Sequence, residues 1–459
     1  MLRIHAGGSG RYCDGMTRRS FVQLGVAGMA SVGLPQILRA KEASRRTGRP
    51  TKDTSVIMLW LDGGPSHLDT YDMKPDAPVE YRGIWNPIRT NVPGIAVTEL
   101  FPKQAKIADK FSLIRSLHHD NGDHFTGGHY MLTSRGGASG ADTTGKYPSI
   151  GSIAARLLGP RKNGMPAYAA VPIASSIGLR PGYFAANYLG HSYDPFETGG
   201  DPNAAEFKVD NINLAGSMTI DRLENRRTLL ADFDRMRRDM DSSGAMETMD
   251  SFDHKAYEMV TGGEARKAFD IASEDAPTRD LYGRHSWGQS TLLARRLVEA
   301  GSTWVTVHMG GWDHHWDLKK GYENYLPVVD SLVSGLFIDL EQRGLIDKTL
   351  VVLCGEFSRT PRMNNGGNGG PAGSMGTPGR DHWGNALSVL IGGGGIQGGR
   401  VVGATNRLGE VPVDRPLEAC DLHATIYDRL GIDPATSFLN HAGRPIPAID
   451  RGEVISELL

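Results

Sequence analysis

The chain has 459 residues, room for one large elaborated domain or as many as three small ones at roughly 150 residues each. Hydrophobic residues make up 39% and charged residues 22%, which excludes a disordered chain and a bundle of membrane helices. The 50 basic and 52 acidic residues are interspersed and form no basic field, so nucleic acid is excluded as an expected partner.

Near the N-terminus, Thr17-Arg18-Arg19-Ser20-Phe21 precedes an apolar stretch from Val22 to Leu34, with Ala40 ahead of a polar segment. This order resembles a twin-arginine signal over residues 1–40. The apolar run is shorter than the roughly 20 residues of a membrane-spanning helix. The mature chain is therefore expected to have no membrane span and to be periplasmic or extracellular, with the twin-arginine export machinery as its carrier. Without the five arginines and one aspartate of residues 1–40, 45 basic and 51 acidic residues remain, a mildly acidic mature chain. Cys13, Cys354 and Cys420 lack the paired close spacing of a zinc ribbon or redox motif.

Residues 41–459 read as a single α/β domain. Thr54–Leu61 is a continuous apolar run ending at Asp62-Gly63-Gly64-Pro65, the pattern of a fully buried strand feeding a turn. A cluster from His118 to His129 holds four of the fifteen histidines. Residues 203–280, rich in charge and methionine, are expected to form a helical insertion over the sheet. Helical periodicity predicts helices over Ser286–Ala300, Tyr325–Arg343 and Leu417–Leu430, the last stopped by Gly431. Apolar runs over 303–308, 349–354 and 386–391 predict further strands, and their alternation with helices predicts a mostly parallel sheet between helices. Residues 361–379, without periodicity and rich in glycine, are expected to be a mobile loop.

In open parallel sheets ligands bind beyond the carboxyl ends of the strands. Polar residues that follow the apolar runs are Asp62 with Ser66, His67 and Asp69; Asp313, His314 and His315; and Glu356, Ser358 and Arg359. Asp381 and His382 stand just before the 386–391 run. Carboxylates and imidazoles on one rim suit one or two divalent cations, with Zn²⁺ or Mn²⁺ favoured over Ca²⁺, which prefers an all-oxygen cage. Such ions activate ester hydrolysis, and Arg359 is a candidate clamp for a phosphate or sulfate oxygen. Cys354 reads as a core residue, since it ends a buried run with no basic neighbour.

Leu61–Thr70, Lys74-Pro75, His124 through Thr133, Ala294–Gly301, Gly355–Pro361, Gly379–Trp383 and Asp421–Thr425 together resemble an exported bacterial family catalogued as domain of unknown function 1501, from about residue 54 to the C-terminus. That family looks like a distant, sulfatase-like branch of the alkaline phosphatase superfamily, whose fold is a mostly parallel sheet with a two-cation site at the strand ends. The resemblance implies Asp62, Asp313, His315, Glu356 and His382 as metal ligands. His124 falls on the position of the superfamily's nucleophile, where it would be a further ligand or a general base, and Thr126 offers the nearby hydroxyl as a substitute nucleophile. The Cys/Ser-x-Pro-x-Arg motif of formylglycine sulfatases does not occur at Cys354 or Cys420. The expected function is an exported metal-dependent hydrolase of phosphate- or sulfate-type esters, with a small-molecule or glycan ester as substrate. The alternatives are a non-catalytic metal- or glycan-binding protein on the same fold, and a structural component that binds no metal.

Overall fold

Every residue of Ser55–Asp62 (β1) is buried, because alternate side chains enter two different layers. Ile57, Leu59 and Leu61 pack into one apolar cluster, while Val56, Met58 and Trp60 pack into the other. β1 lies inside an eight-stranded sheet with Phe111–Leu117 (β2), Tyr168–Val171 (β3), Phe196–Glu197 (β4), Trp304–Gly310 (β5), Thr349–Cys354 (β6), Leu387–Gly393 (β7) and Val401–Val402 (β8). The spatial order is β8-β2-β7-β6-β1-β5-β3-β4. β7 pairs antiparallel with both neighbours and every other pairing is parallel, so the sheet is mostly parallel, as expected. The computed structural model describes residues 53–209, 257–259, 262–366 and 376–459. The signal-like stretch 1–40, most of the 203–280 insertion and the middle of the 361–379 loop lie outside them.

The described helices are His124–Thr133 (α1), Ile150–Leu158 (α2), Gly263–Phe269 (α3), Ala276–Leu281 (α4), Ser286–Ala300 (α5), Leu318–Gln342 (α6) and Ala419–Leu430 (α7). α5 and α6 cover one face through Leu292, Leu293, Leu297, Leu326, Val333 and Leu336; α1, α2 and α7 cover the other through Met131, Leu132, Ile153, Leu422 and Ile426. α6 begins seven residues before the predicted Tyr325, since Gly321 and Pro327 disguise its first turns. Among the described residues no helix is long and apolar enough to cross a membrane.

Cys354 and Cys420 are free and buried. Burial, reinforced by the nearby Glu356 charge, pushes the Cys354 thiol up to about 12, which fits its reading as a core residue. On α7, His423 donates from Nε2 to the Met131 carbonyl of α1 over 2.9 Å and is wholly buried, and burial lowers its pKa to about 4. In the unfolded chain the same imidazole titrates near 6.5, so below that pH the unfolded state takes up a proton that the folded state refuses. Stability should be unaffected by His423 above pH 6.5, fall between 6.5 and about 4, and level off below, losing roughly 3 kcal/mol in all. Urea unfolding across that window, with His423→Gln flattening the slope, checks this.

Candidate metal centre

The loops after β1, β5 and β6 leave the sheet side by side, because the three strands are neighbours in parallel register. The β1 loop can press against the β5 loop only because residue 63 is glycine. Its φ is +117°, and a Cβ there would lie 2.6 Å from the Asp313 nitrogen and 2.8 Å from that of Trp312. The β5 loop carries Asp313 and His315, and the β6 loop carries Glu356. A two-residue ladder after β6 pairs Ser358–Arg359 antiparallel with His382–Trp383, and so delivers His382 to the same rim. His124 arrives as the first residue of α1, whose start is fixed by Asp123: its carboxylate accepts from the Phe125 nitrogen at 2.9 Å and from the Thr126 nitrogen at 3.4 Å.

These elements converge on Asp313. One carboxylate oxygen, Oδ1, is 3.0 Å from His315 Nε2, 3.1 Å from His382 Nε2 and 2.7 Å from Arg359 Nη2. The other, Oδ2, is 3.3 Å from His124 Nε2. His315 Nε2 and His382 Nε2 are themselves 2.9 Å apart. His124, Asp313 and His382 each offer a ligand atom within 4.8 Å of the others.

The opposite ring nitrogens decide the tautomers. His315 Nδ1 lies 2.7 Å from Asp381 Oδ1, His124 Nδ1 2.7 Å from Glu356 Oε1, and His382 Nδ1 3.0 Å from the Gly122 carbonyl. All three partners are acceptors, so an imidazole that gives its Nδ1 proton to them keeps its Nε2 lone pair for a cation seated beside Asp313. Three Nε2 atoms then face one carboxylate. His124 Nε2 is buried, and its one near polar neighbour, Asp313 Oδ2 at 3.3 Å, is not placed to form a hydrogen bond with it. A divalent cation would supply the partner that this nitrogen lacks, and three imidazoles with a carboxylate form a donor set suited to zinc. The residues fit a cation.

Without a cation the cluster attracts protons. Burial opposes charge on His124, but the Asp313 and Glu356 carboxylates outweigh it and lift the pKa to about 9. Asp313, though burial acts against ionisation, is held well below the usual carboxylate range by the three histidines and Arg359. His315 is raised, chiefly by Asp313, while burial keeps His382 low. Burial, with the charge of Asp62 nearby, pushes Glu356 upward despite its hydrogen bond to His124.

The sequence-derived candidates thus divide. Asp313, His315 and His382 come together with His124. Glu356 is fully buried; it accepts from the Gly63 nitrogen at 2.9 and 3.1 Å and orients His124 rather than joining the lone pairs. Asp62 spends its carboxylate on the Ile177 nitrogen at 3.1 and 3.0 Å, Trp60 Nε1 at 3.2 Å and His308 Nε2 at 3.0 Å. Arg359, expected as an anion clamp, is fully buried; it donates to the carbonyls of Gly63 and Gly64 and pairs with Asp313. The Thr126 hydroxyl donates to the Asp123 carboxylate within the helix cap. His67 pairs with Ser358 Oγ at 2.6 Å, and Asp69 with Arg380, both inside the scaffold.

Of the histidine cluster near residue 120, His119 donates to the Glu356 carbonyl at 2.8 Å, accepts from the Asn121 nitrogen at 3.1 Å, and holds the β6 loop in place. Sequence places Asp381 on the rim but does not pair it with His315, and it leaves His308 and the Ile177 loop unpaired with Asp62. For His308 the signal was present, since it closes the apolar run of β5 with a lone imidazole.

The chain matches over residues 53–459 the family described as "Protein of unknown function (DUF1501)". It belongs to that family. No curated protein matches it. Similar solved structures include a protein in the alkaline phosphatase superfamily from Vibrio parahaemolyticus, at 9% identity and TM-score 0.37, covering 83% of this chain and 67% of that one. The PsFucS1 sulfatase from Pseudoalteromonas sp. is 14% identical with TM-score 0.33, over 87% and 72% of the two chains. Alkaline phosphatase from the Antarctic bacterium TAB5 is 15% identical with TM-score 0.33, over 75% and 92%.

Proposed function

We propose that this member of the family is an exported, metal-dependent hydrolase of phosphate- or sulfate-type esters that holds one divalent cation through His124, Asp313, His315 and His382. The observation that carries the reading is the convergence of the Nε2 atoms of His124, His315 and His382 on the Asp313 carboxylate while each Nδ1 faces an acceptor of its own. One cation rather than two follows from Asp62 and Glu356, whose carboxylates are already occupied by protein donors. Export rests on the twin-arginine pattern of residues 1–40, and zinc is the favoured ion.

When bound, the cation would polarise the ester oxygen and neutralise charge developing on it. The chain's own groups do the positioning. Asp381 and the Gly122 carbonyl fix the tautomers of His315 and His382, Glu356 fixes that of His124, and Arg359 holds Asp313 in place from behind. The Thr126 hydroxyl is tied into the helix cap, so water is the nucleophile in this reading and no covalent enzyme ester forms. Asp381→Ala removes the acceptor of the His315 proton. It should weaken divalent-metal affinity by roughly 10–100-fold in a chelator competition, with the far-UV circular dichroism unchanged.

The commitment of Thr126 also favours a second reading, a metal- or glycan-binding protein that performs no turnover. Elemental analysis together with hydrolysis of a panel of aryl phosphate and sulfate esters separates them. Metal and turnover support the hydrolase, metal without turnover supports the binding protein, and a chain without stoichiometric metal refutes both metal-based readings.

A further inference from the structure

Asp381, which lies 2.7 Å from His315 Nδ1, also lines a cavity of about 490 Å³ beside the cluster. Its lining includes two aromatic residues, Tyr81 and Trp383, and the polar residues Arg362, Asn365 and Glu410. The volume is that of a small-molecule site. A larger cavity, about 930 Å³ and bordered by Met165, Phe196 and Met259, has none of the cluster residues in its lining.

The lining is selective. Flat aromatic faces offer apolar contact at little cost in conformational freedom, while guanidinium, amide and carboxylate groups pair with adjacent hydroxyls. A wholly apolar ligand would desolvate those polar groups without replacing their partners. A small inorganic anion would leave the rings uncovered and would meet the Asp381 and Glu410 carboxylates. A polyhydroxylated ring answers both demands. The cavity is also preformed, because Trp383 donates from Nε1 to the Glu410 carbonyl at 2.8 Å and its backbone pairs with Ser358.

We propose that this cavity binds a saccharide and that the esterified substrate of the cluster is a sugar ester. The second half rests on the hydrolase reading above. The saccharide ring lies against Tyr81 and Trp383, and Asp381 links the sugar site to the cation ligands through His315.

A glycan array carrying sulfated, phosphorylated and unmodified saccharides, probed with the purified full chain with and without EDTA, tests this. A subset of saccharides should be retained, the unmodified members equally well in EDTA. Titration calorimetry on a retained saccharide should show at least about tenfold weaker binding for Arg362→Ala, at an exposed position, and for Tyr81→Ala, at a half-buried one. Thermal melting confirms that both variants are folded. No saccharide retained across the array, or retention indifferent to both substitutions, overturns the proposal. Saccharide binding without metal or aryl-ester turnover overturns the hydrolase reading and the sugar-ester half, leaving the sugar site standing. Aryl-ester turnover without any saccharide bound overturns both halves of this proposal and leaves the hydrolase reading standing.

Discussion

Asp313→Asn should purify without stoichiometric divalent metal and lose at least about 100-fold in metal affinity, with ester hydrolysis falling at least as far. Asp313 is the group that every other member of the cluster faces: His124, His315 and His382 through Nε2, and Arg359 through Nη2. Asparagine keeps the shape and removes the negative charge. The fully buried Arg359 guanidinium then has no counter-charge in the cluster and repels an incoming cation. Arg359 still donates to the Gly63 and Gly64 carbonyls, so the β1 and β6 loops should stay in contact and the variant should fold. Elemental analysis and chelator competition measure the first effect, the aryl-ester panel the second. One equivalent of metal retained by Asp313→Asn would contradict the ligand assignment.

The largest loss of stability is expected from Asp69→Ala, at about 3–5 kcal/mol by urea unfolding at neutral pH. Asp69 and Arg380 are both fully buried and lie 2.9 Å apart. Asp69 also accepts from Ser66 Oγ at 2.6 Å and from the Ile84 nitrogen at 2.8 Å, while Arg380 donates to the carbonyls of Arg82, Thr360 and Pro361. Truncating the aspartate leaves a buried guanidinium without its anion, and loosens the segment that immediately precedes Asp381 and His382. Metal affinity should therefore fall together with stability, which distinguishes this substitution from Asp381→Ala. A loss under about 1 kcal/mol would mean that water reaches the pair and that it bears little of the fold.

The central strands were legible because a strand covered on both faces must be apolar throughout. The 349–354 run is β6, and β1 and β5 fall within two residues of their runs. β3 and β4, four and two residues long, give no such run, and their place beside β5 comes from tertiary pairing. The rim was legible for the same reason as the strands, since residues that follow parallel strands must share one edge. What could not be read was which polar side chain faces which. Asp62 and Glu356 stand at strand ends as ligands would, yet the Ile177 and Gly63 amides claim them, and backbone donors leave no mark in a sequence. Arg359 reads as a free cation until the neighbouring loop is seen to close over it with two carbonyls.

The four groups proposed to hold the cation come from three segments, the start of α1 (His124), the β5 loop (Asp313 and His315) and the ladder after β6 (His382), separated by long stretches of chain. An ion seated among them would act as a clasp across the mouth of the barrel-less rim, tying the start of α1 to the ends of β5 and the terminal ladder in one node. Its binding free energy would then be credited to the native state alone, growing with the logarithm of free metal. On that view the metal supply where the chain folds, and not only where it works, governs how long the folded molecule endures.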